Sequence, residues 1–235
     1  MKSDLITAVI PSFNRYESLV SAIDSIKEQT YKNIEIVVID DNSTDINYKK
    51  LEKNKDIKYL KNIEIGRYSI KPGAVRNKAL EVANGSFLAF LDDDDIWLPN
   101  KIELQIEKMK STGLKMSCSE SFWGEGKYNP DIEYLMFNSE KHFREIKKRL
   151  KKKNYKLTEF PDVFKKSLIE KHNLIVTSSV VVETELFKFV GGFRNLKPFF
   201  EDYDCWLALL SWTDCCYLKE PLIYYDGLHA GGKKY

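Results

Sequence analysis

Phe87-Leu88-Ala89-Phe90-Leu91-Asp92-Asp93-Asp94-Asp95-Ile96-Trp97 is an apolar run that ends abruptly in four carboxylates. Four like charges side by side repel one another, and burying any of them adds a further penalty. A chain tolerates such a run where a cation neutralises it. Hard cations such as Mg²⁺ and Mn²⁺ take oxygen ligands, and one or two carboxylates plus substrate phosphates make a common Mg²⁺ site. The run therefore reads as a buried strand that delivers Asp92-x-Asp94 to a metal at its carboxyl end. That is the edge where open α/β sheets collect their ligands. Taken alone, the same run also reads as a solvated acidic turn.

The sequence before the run alternates strands and helices. Leu5 to Ile10 is a short β-branched run stopped by Pro11, followed by the loop Ser12-Phe13-Asn14-Arg15. Leu19, Ala22, Ile23 and Ile26 then fall at helical spacing. Ile34 to Ile39 is a second strand, ending in Asp40-Asp41-Asn42-Ser43-Thr44-Asp45. Strand, helix, parallel strand is the unit of a doubly wound sheet. Lys49 to Asn54 is expected as a short helix, Ile57 to Leu60 as a third strand, and Ala74 to Val82 as a helix stopped by Asn84-Gly85. The expected fold is α/β, a mostly parallel central sheet flanked by helices.

After the run, Pro99 opens a helix with Ile102, Ile106 and Met109 on one face, and Leu114 to Ser119 is a fifth strand. The pattern blurs from Ser121 to Ser167. It returns with a strand at Val176 to Val182, a helix at Glu185 to Val190, a helix with an acidic start at Phe200 to Ser211, and a strand at Leu222 to Tyr225.

With 235 residues, 43% hydrophobic and 31% charged, the composition is that of a soluble globular protein. A net charge of +2 gives no argument for a nucleic-acid partner. No apolar stretch approaches the roughly 18 residues that cross a bilayer, and the N-terminus lacks the pattern of a secretion signal. Cys118, Cys205, Cys215 and Cys216 form no CxxC pair and no zinc spacing, so free thiols in a reducing cytoplasm are expected. No GxGxxG follows the first strand and no GxxxxGK[ST] occurs, so neither a dinucleotide cofactor nor a P-loop is indicated. Asp40-Asp41-Asn42-Ser43 is either a capping turn or a nucleotide contact.

Five blocks together resemble family 2 glycosyltransferases, inverting enzymes with the GT-A fold. They are Val9-Ile10-Pro11-Ser12-Phe13-Asn14-Arg15; Ser25 to Tyr31; Glu35 to Asp45; Gly73 to Leu80 with Ala83-Asn84-Gly85 and the acid-terminated strand; and Glu201-Asp202-Tyr203-Asp204-Cys205-Trp206-Leu207. They occur in the family's order over most of the chain, with a poor match in the middle. The resemblance implies a nucleotide-sugar-binding half at 1–120 and an acceptor-binding half at 121–235. It implies a UDP-linked donor, a glycan or lipid-linked acceptor in cell-surface polysaccharide synthesis, and Mn²⁺ or Mg²⁺ as cofactor. By resemblance Pro11 and Phe13 line the base pocket, Asp41 with its neighbour Asp40 meets the base, and Arg76 faces the nucleotide or its diphosphate. Asp94 holds the metal, while Asp92 and Asp93 lie on the nucleotide-sugar side. All four positions are Asp, so register leaves Asp93 and Asp95 open as ligands. Asp202 matches the catalytic base, Glu201 and Trp206 the acceptor contacts, and His229 a further metal or diphosphate ligand.

The chemistry asks for these residue types. In-line displacement at the anomeric carbon needs a base for the acceptor hydroxyl and a counter-charge for the departing diphosphate. A sugar-nucleotidyltransferase would need a Gly-rich basic loop after the first strand, which is absent. A glycan-binding module without activity would be free to lose the acids, which are present. A processive synthase would need membrane helices and a QxxRW motif, and neither is found. Finally, the segment 144–156 is dense in Lys and Arg, with Phe143, Ile146 and Leu150 on one helical face. It reads either as a solvated face or as a helix lying on an anionic membrane at the cytoplasmic side.

Overall fold

The computed structural model describes residues 3–62, 72–194, 196 and 200–228. Strand β1 (Ile6–Ser12) leads through helix α1 (Tyr16–Lys27) to β2 (Ile34–Asp40), α2 (Lys49–Glu52) and β3 (Ile57–Lys61). Then come α3 (Pro72–Asn77), β4 (Phe87–Phe90), β5 (Ile96–Trp97), α4 (Lys101–Thr112), β6 (Met116–Gly124) and β7 (Leu135–Met136). The chain continues with α5 (Phe143–Lys152), β8 (Val163–Phe164), α6 (Lys166–Ile169), β9 (Val181–Glu183), α7 (Thr184–Phe189), α8 (Glu201–Leu209) and β10 (Cys215–Asp226).

The described strands form one sheet with the central order β3-β2-β1-β4-β9-β6-β10-β5. The four strands from β3 to β4 are parallel. β9 runs antiparallel to both neighbours, β6 and β10 are parallel, and β5 is antiparallel. The sheet is therefore parallel in its first half, as the sequence leads one to expect, and mixed in its second.

Alternation along the strands explains why helices cover both faces. Ala8 and Ile10 of β1 and Ile36 and Val38 of β2 pack with Leu19, Ala22 and Ile23 of α1 and Ile102, Ile106 and Met109 of α4. Val9, Val37 and Ile39 face the other way, into a core shared with Phe90, Phe187, Phe193 and Trp206. Each Val, Leu, Ile, Met or Phe among them stabilises the fold by roughly 1.5–3 kcal/mol when fully buried. Lys101 is also fully buried, its Nζ 2.7 Å from Gln105 Oε1 and 4.4 Å from the Trp97 ring centroid, and burial pushes its pKa well down.

Several boundaries differ from the sequence reading for identifiable reasons. β1 runs past Pro11 to Ser12, because its pairing with β4 ends at Val9 and the missing N–H has no ladder to break. The helix expected over Ala74 to Val82 is α3 followed by a 3₁₀ turn, Lys78–Glu81. β10 is far longer than Leu222 to Tyr225, since register shifts around Pro221 absorb the proline. Ile146 and Leu150 of α5 are buried in the core, while its Lys and Arg residues are exposed. Ile146 and Leu150 of the basic helix's apolar face are thus taken up by the protein, with Phe143 packed partly buried beside them.

Candidate functional site

The four aspartates form a β-turn between β4 and β5, closed by the Asp95 amide on the Asp92 carbonyl at 3.1 Å. The turn sorts the carboxylates alternately. Asp93 and Asp95 are buried, while Asp92 and Asp94 are partly exposed. Asp93 accepts from the Ser12 hydroxyl at 2.7 Å and from Arg15 at 3.2 Å. Asp95 accepts from the Ser178 hydroxyl and from the Asp226 amide at 2.9 Å. Both hold the turn in place, and Asp93, expected on the nucleotide-sugar side, is buried behind Ser12 and Arg15. Arg15 also reaches Asp94 at 2.6 Å. Burial, then the charges of Asp93 and Asp92, raise the Asp94 pKa to about 7 despite Arg15.

Asp92 is paired with Arg76, which leaves α3 and is almost fully buried. Burial opposes the guanidinium charge, but Asp92 more than offsets that, and Asp202 and Glu201 add to it, so the pKa is raised. Arg76 thus stands between the acid turn and the first turn of α8. Its Nε and the buried Glu201 Oε2 have no hydrogen-bond partner among the described residues. The close approach depends on Gly73, where a Cβ would sit 2.7 Å from Glu201 Cγ and 2.8 Å from Phe193 Cβ. Asp202 is partly exposed and accepts from the Tyr203 amide at 2.6 Å. Burial raises its pKa, and the Tyr203 amide and Arg76 pull back against it.

Pro11 and Phe13, both partly exposed, lie at the carboxyl end of β1, where the Asp41 amide donates to the Ser12 carbonyl at 2.8 Å. Asp41 also accepts from Asn62 Nδ2 at 2.7 Å. Asp40 is fully buried and accepts from the Ser43 amide at 2.8 Å and the Tyr59 hydroxyl at 2.5 Å. Its carboxylate closes the local turn after β2 and packs under Tyr59, while the N-cap of the following 3₁₀ turn, Ile46–Tyr48, is Asp45.

Trp206, expected as an acceptor contact, is fully buried against Phe90 and Phe193. Glu201 is buried behind Asp202. His229 lies outside the described residues. Sequence reasoning overlooked Arg15 and Ser178. Arg15 ends the family-like stretch Val9 to Arg15, whereas nothing in sequence marks Ser178 as the partner of a residue 83 positions away. Among the described residues, no three His, Cys, Asp or Glu side chains converge as a ready metal site.

The family description Glycosyl transferase family 2 matches residues 7–172. The chain belongs to glycosyl transferase family 2. Its relatives include the Escherichia coli UDP-Glc:alpha-D-GlcNAc-diphosphoundecaprenol beta-1,3-glucosyltransferase WfgD, 41% identical over 116 residues, which are 48% of this chain and 44% of the relative. The putative teichuronic acid biosynthesis glycosyltransferase TuaG of Bacillus subtilis is 32% identical over 126 residues, 51% of this chain and 46% of that protein. These matches span less than half the length of either relative. The structure of Staphylococcus aureus TarS in complex with UDP-GlcNAc superposes with a TM-score of 0.69 at 19% identity, covering 98% of this chain and 61% of TarS. A Pyrobaculum calidifontis mannosyltransferase in complex with GDP-Man and Mn²⁺ gives 0.63 at 16% identity, covering 98% of this chain and 60% of that one. The family 2 chain has the GT-A fold of these neighbours.

Proposed function

We propose that this chain transfers a single sugar, with inversion, from a UDP-linked donor to a hydroxyl of a glycan or lipid-linked acceptor in cell-surface polysaccharide synthesis. The observation that carries the proposal is Arg76, which ties the acid turn to the Asp202 end of α8. A leaving-group site and a base therefore border one space. The curated relatives support the donor and the acceptor class, since WfgD is named for UDP-Glc and a diphosphoundecaprenol-linked sugar.

In the proposed reaction the acceptor oxygen bonds to the anomeric carbon as the bond from that carbon to the diphosphate breaks. Asp202 takes the hydroxyl proton, and its raised pKa suits a general base. Pro11, Phe13 and Asp41 border the nucleotide, with residues 1–120 forming the donor half and 121–235 the acceptor half. Asp94, with Asp92 beside it, supplies the hard oxygen donors that suit Mn²⁺ or Mg²⁺. Because few ligands converge among the described residues, diphosphate oxygens would complete the set. A bound cation would stabilise the departing charge.

Thermal shift with UDP-sugars tests this, because a ligand of the native state raises apparent stability. UDP-glucose or UDP-GlcNAc with Mn²⁺ is expected to raise Tm, and Asp94→Asn to remove the Mn²⁺-dependent part of that shift. An equal shift in the variant, with and without metal, would count against Asp94 as the metal residue.

The exposed lysines and arginines of α5 are proposed to make a peripheral contact with anionic lipid by charge alone. Flotation with phosphatidylglycerol vesicles should therefore succeed at low salt and fail at about 0.5 M salt, where screening is nearly complete. Binding that survived high salt, or neutralisation of Lys147, Lys148, Lys151 and Lys152, would refute a charge-based contact.

A further inference from the structure

The segment between β6 and α5 is fixed to the sheet by a buried carboxylate. Glu120 of β6 is fully buried and accepts the amides of Asn138 at 3.0 Å and Ser139 at 2.9 Å and the Tyr217 hydroxyl at 3.0 Å. Asn138 adds a bond to the Leu174 carbonyl at 3.1 Å. Those amides are available because Phe137–Lys141 is a π-helical turn, closed by the His142 amide on the Phe137 carbonyl at 3.0 Å. Such turns are rare and recur at functional sites.

The turn brings two side chains onto the ends of β6 and β10. The Phe137 ring meets Tyr225 edge-on, with centroids 5.2 Å apart, and the Lys141 ammonium lies 3.5 Å from the Trp123 ring centroid. Trp123 and Tyr225 are register partners on parallel strands, so they leave the same face of the sheet as neighbours. All three rings are partly exposed. The wall stands beside the acid turn, since the amide of Asp226, next to Tyr225, is bonded to Asp95. The charges of Asp95, Asp92 and Asp94 also act on the Tyr225 hydroxyl, raising its pKa beyond what burial does. Lys141 is exposed and has no carboxylate partner among the described residues, so its charge is open to an incoming anion.

We propose that Trp123, Phe137 and Tyr225 form the stacking wall of the acceptor subsite, packing the apolar C–H face of a pyranose, while Lys141 meets a phosphoryl group carried by that sugar. The proposal rests on the transferase reading above. An aromatic wall is the expected lining for a flat, amphipathic ligand. An ammonium poised on an indole face can swing to an anion without losing a buried partner.

The test titrates two probes by ligand-observed NMR, with UDP present: methyl N-acetylglucosaminide, and N-acetylglucosamine carrying a diphosphoryl-undecyl chain. The wild-type chain is expected to bind both and to prefer the second. Trp123→Ala should weaken both by roughly tenfold. Lys141→Ala, an exposed change that leaves the fold alone, should erase the preference and leave the neutral probe unaffected. UDP affinity should be unchanged in both variants. Wild-type binding of neither probe, or equal binding by wild type and both variants, would overturn the proposal. Failure of wild type to bind UDP while the probe pattern holds would instead fault the donor side of the transferase reading.

Discussion

Asp202→Asn is expected to leave UDP-sugar binding intact and to lower kcat by about a hundred- to ten-thousand-fold, the usual worth of a general base. Asn keeps the shape and can still accept the Tyr203 amide, which now bonds to Oδ1 at 2.6 Å. It cannot take a proton from the acceptor. The fold should not suffer. Because the native pKa is raised above its unfolded value, the ionised carboxylate opposes folding at neutral pH, and removing it is neutral or slightly stabilising. In the wild type the acid limb of kcat/KM should lie above the ordinary Asp value of about 3.9. Steady-state kinetics with a saturating donor decides the matter. Turnover near the wild-type rate would mean that another group takes the proton.

Arg76→Ala should be the most destabilising single change at the site. It leaves Asp92 without its guanidinium partner and removes the positive charge that offsets Asp202 and Glu201. Breaking a buried ion pair from one side costs about 3–5 kcal/mol. For a chain of this size that is a fall in Tm of roughly ten degrees. Adding Asp92→Asn to Arg76→Ala should recover part of the loss, because the stranded charge is then gone. A single variant melting within a degree of wild type, or a double variant melting below the single, would show that the pair does not carry this load. Arg76→Lys is expected to fall between, keeping the charge but losing the planar fork that suits a carboxylate.

Those two residues were visible in sequence, and so was the frame that carries them. The β-branched runs at Leu5 to Ile10 and Ile34 to Ile39, with a helical stripe between, sufficed for the parallel half of the sheet. What stayed hidden was orientation. Asp40 and Asp41 are adjacent and chemically identical, yet one is fully buried under Tyr59 and the other is partly exposed. The division of the four aspartates depends on Ser12 and Ser178, each more than eighty residues away in sequence. Trp206 looked like a contact residue because of its neighbours in sequence, whereas its packing against Phe90 and Phe193 is a matter of tertiary structure. The mixed half of the sheet was illegible for another reason. β5, β7 and β8 are two residues each, too short for any period to register.

The hydrogen bond from the Asp226 amide to Asp95 joins residues 131 positions apart. Contacts this distant in sequence form late, because a long loop must close before they are rewarded. β1, β2 and β3 can pair within the first 61 residues as the chain emerges from the ribosome. The acid turn gains its last anchor only once β10 has been synthesised through Asp226. During synthesis the nascent chain therefore carries four neighbouring carboxylates without their final scaffold, and the order of assembly runs from the parallel strands to the acid turn.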